Sequence, residues 1–161
     1  MLQNPGFETG LAAPWVSGNV GTVNVVEEPY EGNYAAFGNV EQYIDLEAGV
    51  NYTYSCYVKT STPDFNVWIG IRDMVGAALV SNYGFSNAEY ELATIEFTAP
   101  STGSHRFWVW GQGDSQYHSD NFLLLKEGTT GIFDREAESD KIKISSNNDG
   151  VVIDIEQPIQ E

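Results

Sequence analysis

Along most of the chain, apolar and polar residues alternate with a period of two in short runs, and Gly, Asn and Pro punctuate the runs. TVNVV, EQYIDL, NYTYSCYVK, FNVWIGIR, ATIEFTA, SHRFWVWGQ and DNFLLL are rich in β-branched and aromatic residues and read as strands. No comparable stretch carries a convincing 3.6-residue apolar period. Strands that turn one row to a core and the other to water predict an all-β fold, an antiparallel β-sandwich. No internal repeat is visible.

The same alternation sorts side chains onto faces. In RFWVWGQG, Phe107 and Val109 form the core row, while Arg106, Trp108, Trp110 and Gln112 point the other way. In FNVWIGIRD the core row is Phe65, Val67, Ile69 and Ile71, which leaves Asn66, Trp68, Gly70 and Arg72 opposite. In YTYSCYVK, Tyr52, Tyr54, Cys56 and Val58 face inward, with Ser55, Tyr57 and Lys59 outside. Three strands thus place aromatic and hydrogen-bonding groups on what should be one wet face. Such a face suits a sugar, whose C–H surfaces stack on flat rings and whose rim needs planar donors and acceptors. Tyr57, Trp68, Trp108 and Trp110 would supply the rings, and Lys59, Asn66, Arg72, Arg106 and Gln112 the polar contacts. The bland alternative packs some of these tryptophans beneath a loop.

A chain of 161 residues with 42% hydrophobic residues can bury a core. The organisation expected is a sandwich over 1–127, a charged linker over 128–140 and, over 141–161, a hairpin around an Asn-Asp-Gly turn. Standing alone, such a hairpin is only marginally stable. Cys56 is the single cysteine and reads as a small buried residue, so no internal disulfide is available. No apolar run is long enough to span a membrane. MLQNPGF lacks the regions of a signal peptide, so Met1 is expected to open a segment cut from a longer secreted chain.

The formal charge of −16 argues against nucleic acid and against anionic membranes as partners. Residues 1–126 hold 14 acidic and 4 basic residues. Three of those four, Lys59, Arg72 and Arg106, fall on the expected wet face. Cations gathered there point to an anionic polysaccharide such as alginate, because guanidinium meets carboxylate or sulfate in a planar, two-bonded geometry. The competing readings are a neutral β-glycan and, for Arg72 beside Asp73, a plain exposed salt bridge.

The opening LQNPGFETGLAAPW resembles the start of carbohydrate-binding modules of the family four, nine, sixteen and twenty-two type, where Asn-x-Gly-Phe-Glu precedes a Trp. EGNYAAFG, QYIDLEAGVNYTYSCYVKTS, ATIEFTAPSTGSHRFWVWGQG and SDNFLLL are similar to later segments of those modules, in order, so the likeness covers about residues 2–126. The resemblance implies a jelly-roll sandwich without catalysis, a glycan on a concave sheet or loop rim, and a structural calcium. Its matching positions are Glu8 and Asp120 as carboxylate ligands, with oxygens near Gly10 and in the Glu31 to Asn33 turn completing the shell. It leaves Trp15 open between core and ligand. KIKISSNNDGVVIDIEQPIQE resembles the opening half of the sorting domain used by type nine secretion in Bacteroidetes, without its Tyr-Pro-Asn-Pro.

Catalysis finds little support. A glycosidase needs two carboxylates facing each other roughly 5 to 9.5 Å apart, whereas Glu27, Glu28, Glu89, Glu91 and Asp114 fall in expected loops or strand edges. His105 and His118 lack zinc-site spacing, and His118 reads as a surface residue at a strand entry. The expectation is therefore a monomeric, noncatalytic module of a secreted or surface-held bacterial protein, linked to a glycan-degrading catalytic domain. The rival class is an adhesion or structural sandwich, which would show a flat apolar patch instead of an aromatic trough.

Overall fold

A computed structural model describes residues 1–18, 22–61, 67–112 and 116–128, and the backbone of 142–147 and 150–155. Residues Met1–Glu127 and Gly128–Glu161 form two compact units. The first contains nine strands: β1 Asn24–Val26, β2 Ala35–Phe37, β3 Val40–Leu46, β4 Asn51–Thr60, β5 Val67–Asp73, β6 Leu79–Phe85, β7 Glu91–Thr98, β8 Gly103–Gly111 and β9 Tyr117–Lys126. They pair into a five-stranded sheet of order β1-β2-β9-β4-β7 and a four-stranded sheet of order β3-β8-β5-β6. Every pairing is antiparallel. In the second unit, β10 Ile142–Asn147 pairs antiparallel with β11 Gly150–Ile155. Residues 129–140 of the expected linker, and residue 141 of the expected hairpin, lie outside the described residues.

Alternation builds the core as the sequence requires. Tyr52, Tyr54, Cys56 and Val58 of β4 are buried, as are Val67, Ile69 and Ile71 of β5 and Phe107 and Val109 of β8. Burial pushes the Cys56 thiol up, which keeps it protonated and inert. His105 is also fully buried, its Nδ1 2.9 Å from the Gly103 carbonyl.

Trp15 is a core residue. Its ring lies 4.4 Å from Phe122 and 5.8 Å from Phe7, centroid to centroid, and its Nε1 donates to the carbonyls of Gln3 and Asn4, both at 2.9 Å. The opening motif therefore anchors the N-terminal segment against β9, and it does so with an indole whose polar edge is satisfied. Trp15→Ala is expected to destabilise the protein by about 3–5 kcal/mol, the range for emptying a large aromatic site. Denaturant unfolding measures this, and a loss below about 1 kcal/mol would remove Trp15 from the core.

Candidate functional site

The outer face of the four-stranded sheet carries three of the four tryptophans. Register places Trp110 opposite Trp68, Trp108 opposite Gly70 and Arg106 opposite Arg72 across β8 and β5. Across β3 and β8, Glu41 faces Trp108 and Tyr43 faces Arg106. The Trp68 and Trp110 rings lie 5.5 Å apart and within 25° of parallel, and Trp110 is 45% exposed.

Glycines make this arrangement possible. A Cβ on Gly70 would meet Cζ2 of Trp108 at 2.2 Å, and one on Gly84 would meet Nε1 of Trp68 at 3.0 Å. Each indole therefore leans over the neighbouring strand where no side chain stands, which lays its ring along the sheet instead of upright. Gly84 on β6 is the cross-strand partner of Trp68. The result is an apolar floor with polar neighbours, including exposed Gln112 and Asn82.

The charged groups on this face are largely balanced. Arg106 Nη1 lies 3.3 Å from Glu41 Oε2, and the same carboxylate accepts from the Tyr43 hydroxyl at 3.1 Å. Burial first, then the Glu41 charge, hold the Tyr43 phenol above its ordinary range. Arg72 donates to the Ala77 carbonyl at 3.1 Å. It makes no pair with Asp73, which is buried and accepts from the Val75 and Gly76 amides and the Ser101 hydroxyl. Asp45 stands on the outer row of β3 with Glu41, so the face carries two arginines and two carboxylates, of which Arg106 and Glu41 form a pair.

Two expected members of this face lie elsewhere. Tyr57 and Lys59 do point outward, but from β4, which belongs to the five-stranded sheet and therefore to the opposite side of the sandwich. There Tyr57 stacks under Tyr30 at 3.5 Å and 8°, and Lys59 Nζ lies 3.4 Å from Glu28 Oε2 and 4.8 Å from the Tyr90 ring centroid. His118, expected at the surface, is nearly buried beside them, with Nε2 3.5 Å from Glu28 Oε2. Burial, with Lys59 adding to it against Glu28, holds this imidazole below its usual range. Asn66, Phe65 and Asp114 lie outside the described residues.

The carboxylates matched to a calcium site converge on the segment after β1. Both oxygens of Glu8 accept from the Asn33 amide, at 2.9 and 3.2 Å, and the Asn33 side chain and the Tyr34 amide add further donors. Asp120 is fully buried and accepts from the amides of Tyr30, Glu31 and Asn121. Glu31 accepts from the Asn121 side chain at 3.1 Å. The Cβ position of Gly6 lies 3.7 Å from both Asp120 Oδ1 and Glu8 Cγ, so the two acids flank one point. Burial, with the Glu8 charge reinforcing it, raises the Asp120 carboxyl against the three amide donors. Gly32, at φ 82°, leaves room for the Glu8 carboxylate, which a Cβ there would meet at 2.4 Å. Gly10 instead packs on the Tyr34 ring. The donors are all hard oxygens, as calcium requires, though no three His, Cys, Asp or Glu side chains group in ligating geometry among the described residues.

The antiparallel two-sheet sandwich is similar to solved carbohydrate-binding modules of families 4, 16, 22 and 61. A family 61 module, TmCBM61, solved with β-1,4-galactotriose, is 25% identical with a TM-score of 0.63, over 78% of this chain and 97% of that one. The CBM22-1 xylan-binding domain of Paenibacillus barcinonensis Xyn10C is 15% identical with a TM-score of 0.58, over 75% and 90%. A family 4 module is 15% identical with a TM-score of 0.55, over 79% and 100%. No protein-family model and no curated protein matches the sequence. No helix among the described residues is long and apolar enough to cross a membrane.

Gly70→Ala should push the Trp108 indole off the sheet while leaving the strands paired. The expected outcome is an altered near-UV circular dichroism spectrum with an unchanged far-UV spectrum; identical near-UV spectra would mean the indole does not depend on that gap.

Proposed function

We propose that the chain is a noncatalytic module that binds a neutral β-linked polysaccharide along the outer face of the four-stranded sheet. The observation that carries this reading is the aromatic surface made by Trp108 over Gly70 and Trp68 over Gly84, with the exposed Trp110 ring beside Trp68. The exposed Trp110 ring and the half-buried Trp68 and Trp108 rings match the C–H faces of sugars, and Tyr43, Asn82 and Gln112 stand nearby for hydroxyl contacts. The solved complex of TmCBM61 with β-1,4-galactotriose and the xylan-binding domain supply precedents for neutral ligands on this fold.

The acidic-glycan reading, alginate included, depended on three cations sharing one face. Lys59 is on the other sheet and paired with Glu28, and Arg106 is paired with Glu41. That leaves a face without net positive charge, which favours a neutral chain over a uronate. The module would belong to an exported bacterial protein as a monomer, raising the local substrate concentration of a linked catalytic domain.

Calcium completes the proposal. Glu8 and Asp120 would hold it, with oxygens of Gly10, Glu31 and Asn33 as further ligands, and its charge would relieve the repulsion between the two acids. EDTA should then lower the melting temperature and added Ca2+ restore it, with the ion contributing about 2.7 kcal/mol of stability at a hundredfold excess over its Kd. An unchanged melting temperature would remove the ion.

Trp110→Ala should weaken binding of β-1,4-linked galacto- or xylo-oligosaccharides at least about tenfold, since a stacked ring loses buried area and ring contact together. Titration calorimetry against these sugars and against alginate decides the ligand class. Alginate binding that is tighter and steeply weakened by salt would overturn the neutral assignment.

A further inference from the structure

On the five-stranded sheet, Phe37, His118 and Lys59 stand side by side across β2, β9 and β4, each the register partner of the next. This row lines a cavity of about 530 Å3, closed further by Glu28 and Ser61 and rimmed by exposed Ala88. The volume falls within the roughly 300–1,000 Å3 of small-molecule sites. It lies on the side of the sandwich away from Trp68, Trp108 and Trp110.

The wall residues contact one another directly. Lys59 Nζ is held 3.4 Å from Glu28 Oε2 and over the Tyr90 ring, while the Tyr90 hydroxyl donates to the Glu28 carbonyl at 2.7 Å. An ammonium and a carboxylate side by side cancel in charge, so the cavity selects neither a phosphate nor a metal ion. They also present a donor and an acceptor at the spacing of adjacent groups on one molecule, which is what the neighbouring hydroxyls of a sugar ring offer in return. The half-buried Phe37 ring adds an apolar surface, and the Ser61 hydroxyl a further polar contact.

We propose that this cavity is a second binding site, taking one neutral sugar unit, on the sheet opposite the tryptophan face. A module with sites on both sheets would bridge two glycan chains, or two segments of one, and gain avidity without a tighter contact at either face.

The test is amide NMR on the 15N-labelled full chain, titrated with the methyl β-D-pyranosides of galactose, glucose and xylose and, separately, with a β-1,4-linked hexasaccharide. The expected result is saturable shifts at Phe37, Lys59 and His118 with at least one single-ring glycoside. They should persist in Trp110→Ala and disappear in Ala88→Trp, which fills the cavity from its rim without removing a contact. Shifts that ignore Ala88→Trp, shifts confined to β5 and β8, or none with any of the three glycosides would overturn the second site. The tryptophan reading is judged separately, by whether the hexasaccharide shifts β5 and β8.

Discussion

An indole can lie along a β-sheet only where the next strand leaves a gap for it. Strands stand about 4.8 Å apart, closer than the width of the ring system, so a side chain on the neighbouring strand would force the ring upright. Gly70 and Gly84 provide those gaps, at the register positions beside Trp108 and Trp68. The same strands bury Val67, Ile69, Ile71, Phe107 and Val109 on their inner side. A single alternation therefore supplies both the core that holds the sheet and the aromatic surface the sheet presents.

The two outer faces differ because one is covered and the other is open. Over the five-stranded sheet, the segment between β1 and β2 lays Tyr30 on Tyr57 and supplies amides to Asp120 and Glu8. Carboxylates there are anchored by backbone donors, and the remaining hollow is walled by opposed charges. Over the four-stranded sheet, Trp110, Tyr43 and Asn82 remain exposed, and the charges beside them offset each other. Stacking, not ionic attraction, is then the main physical resource of the open face.

Periodicity alone revealed most of the strands and the inner rows of β4, β5 and β8, because burial on one side leaves an unambiguous two-residue pattern. It missed β6, whose LVSNYGF mixes Asn and Gly into an edge strand with much of its length exposed, and it gave β2 only through the family likeness. Its larger error was to place Tyr57 and Lys59 beside the tryptophans. Alternation tells which side of a strand a residue occupies but not which sheet the strand joins, and β4 and β5 join different sheets. The charge argument failed for a related reason: Glu41 meets Arg106 and Glu28 meets Lys59 through contacts between segments distant in sequence, which no local pattern encodes. Gly70 was visible on the right face, yet its role as the bed for Trp108 needed the register between β5 and β8.

The four indole N–H signals offer the most direct examination of the central claim, because Trp15 serves as an internal control within the core. On adding a neutral β-1,4-linked oligosaccharide to the labelled protein, the resonances of Trp68, Trp108 and Trp110 should shift together and saturate while that of Trp15 stays in place. If the three outer indoles remain unmoved while binding is detected by another method, the glycan sits elsewhere and the open tryptophan face is not the site.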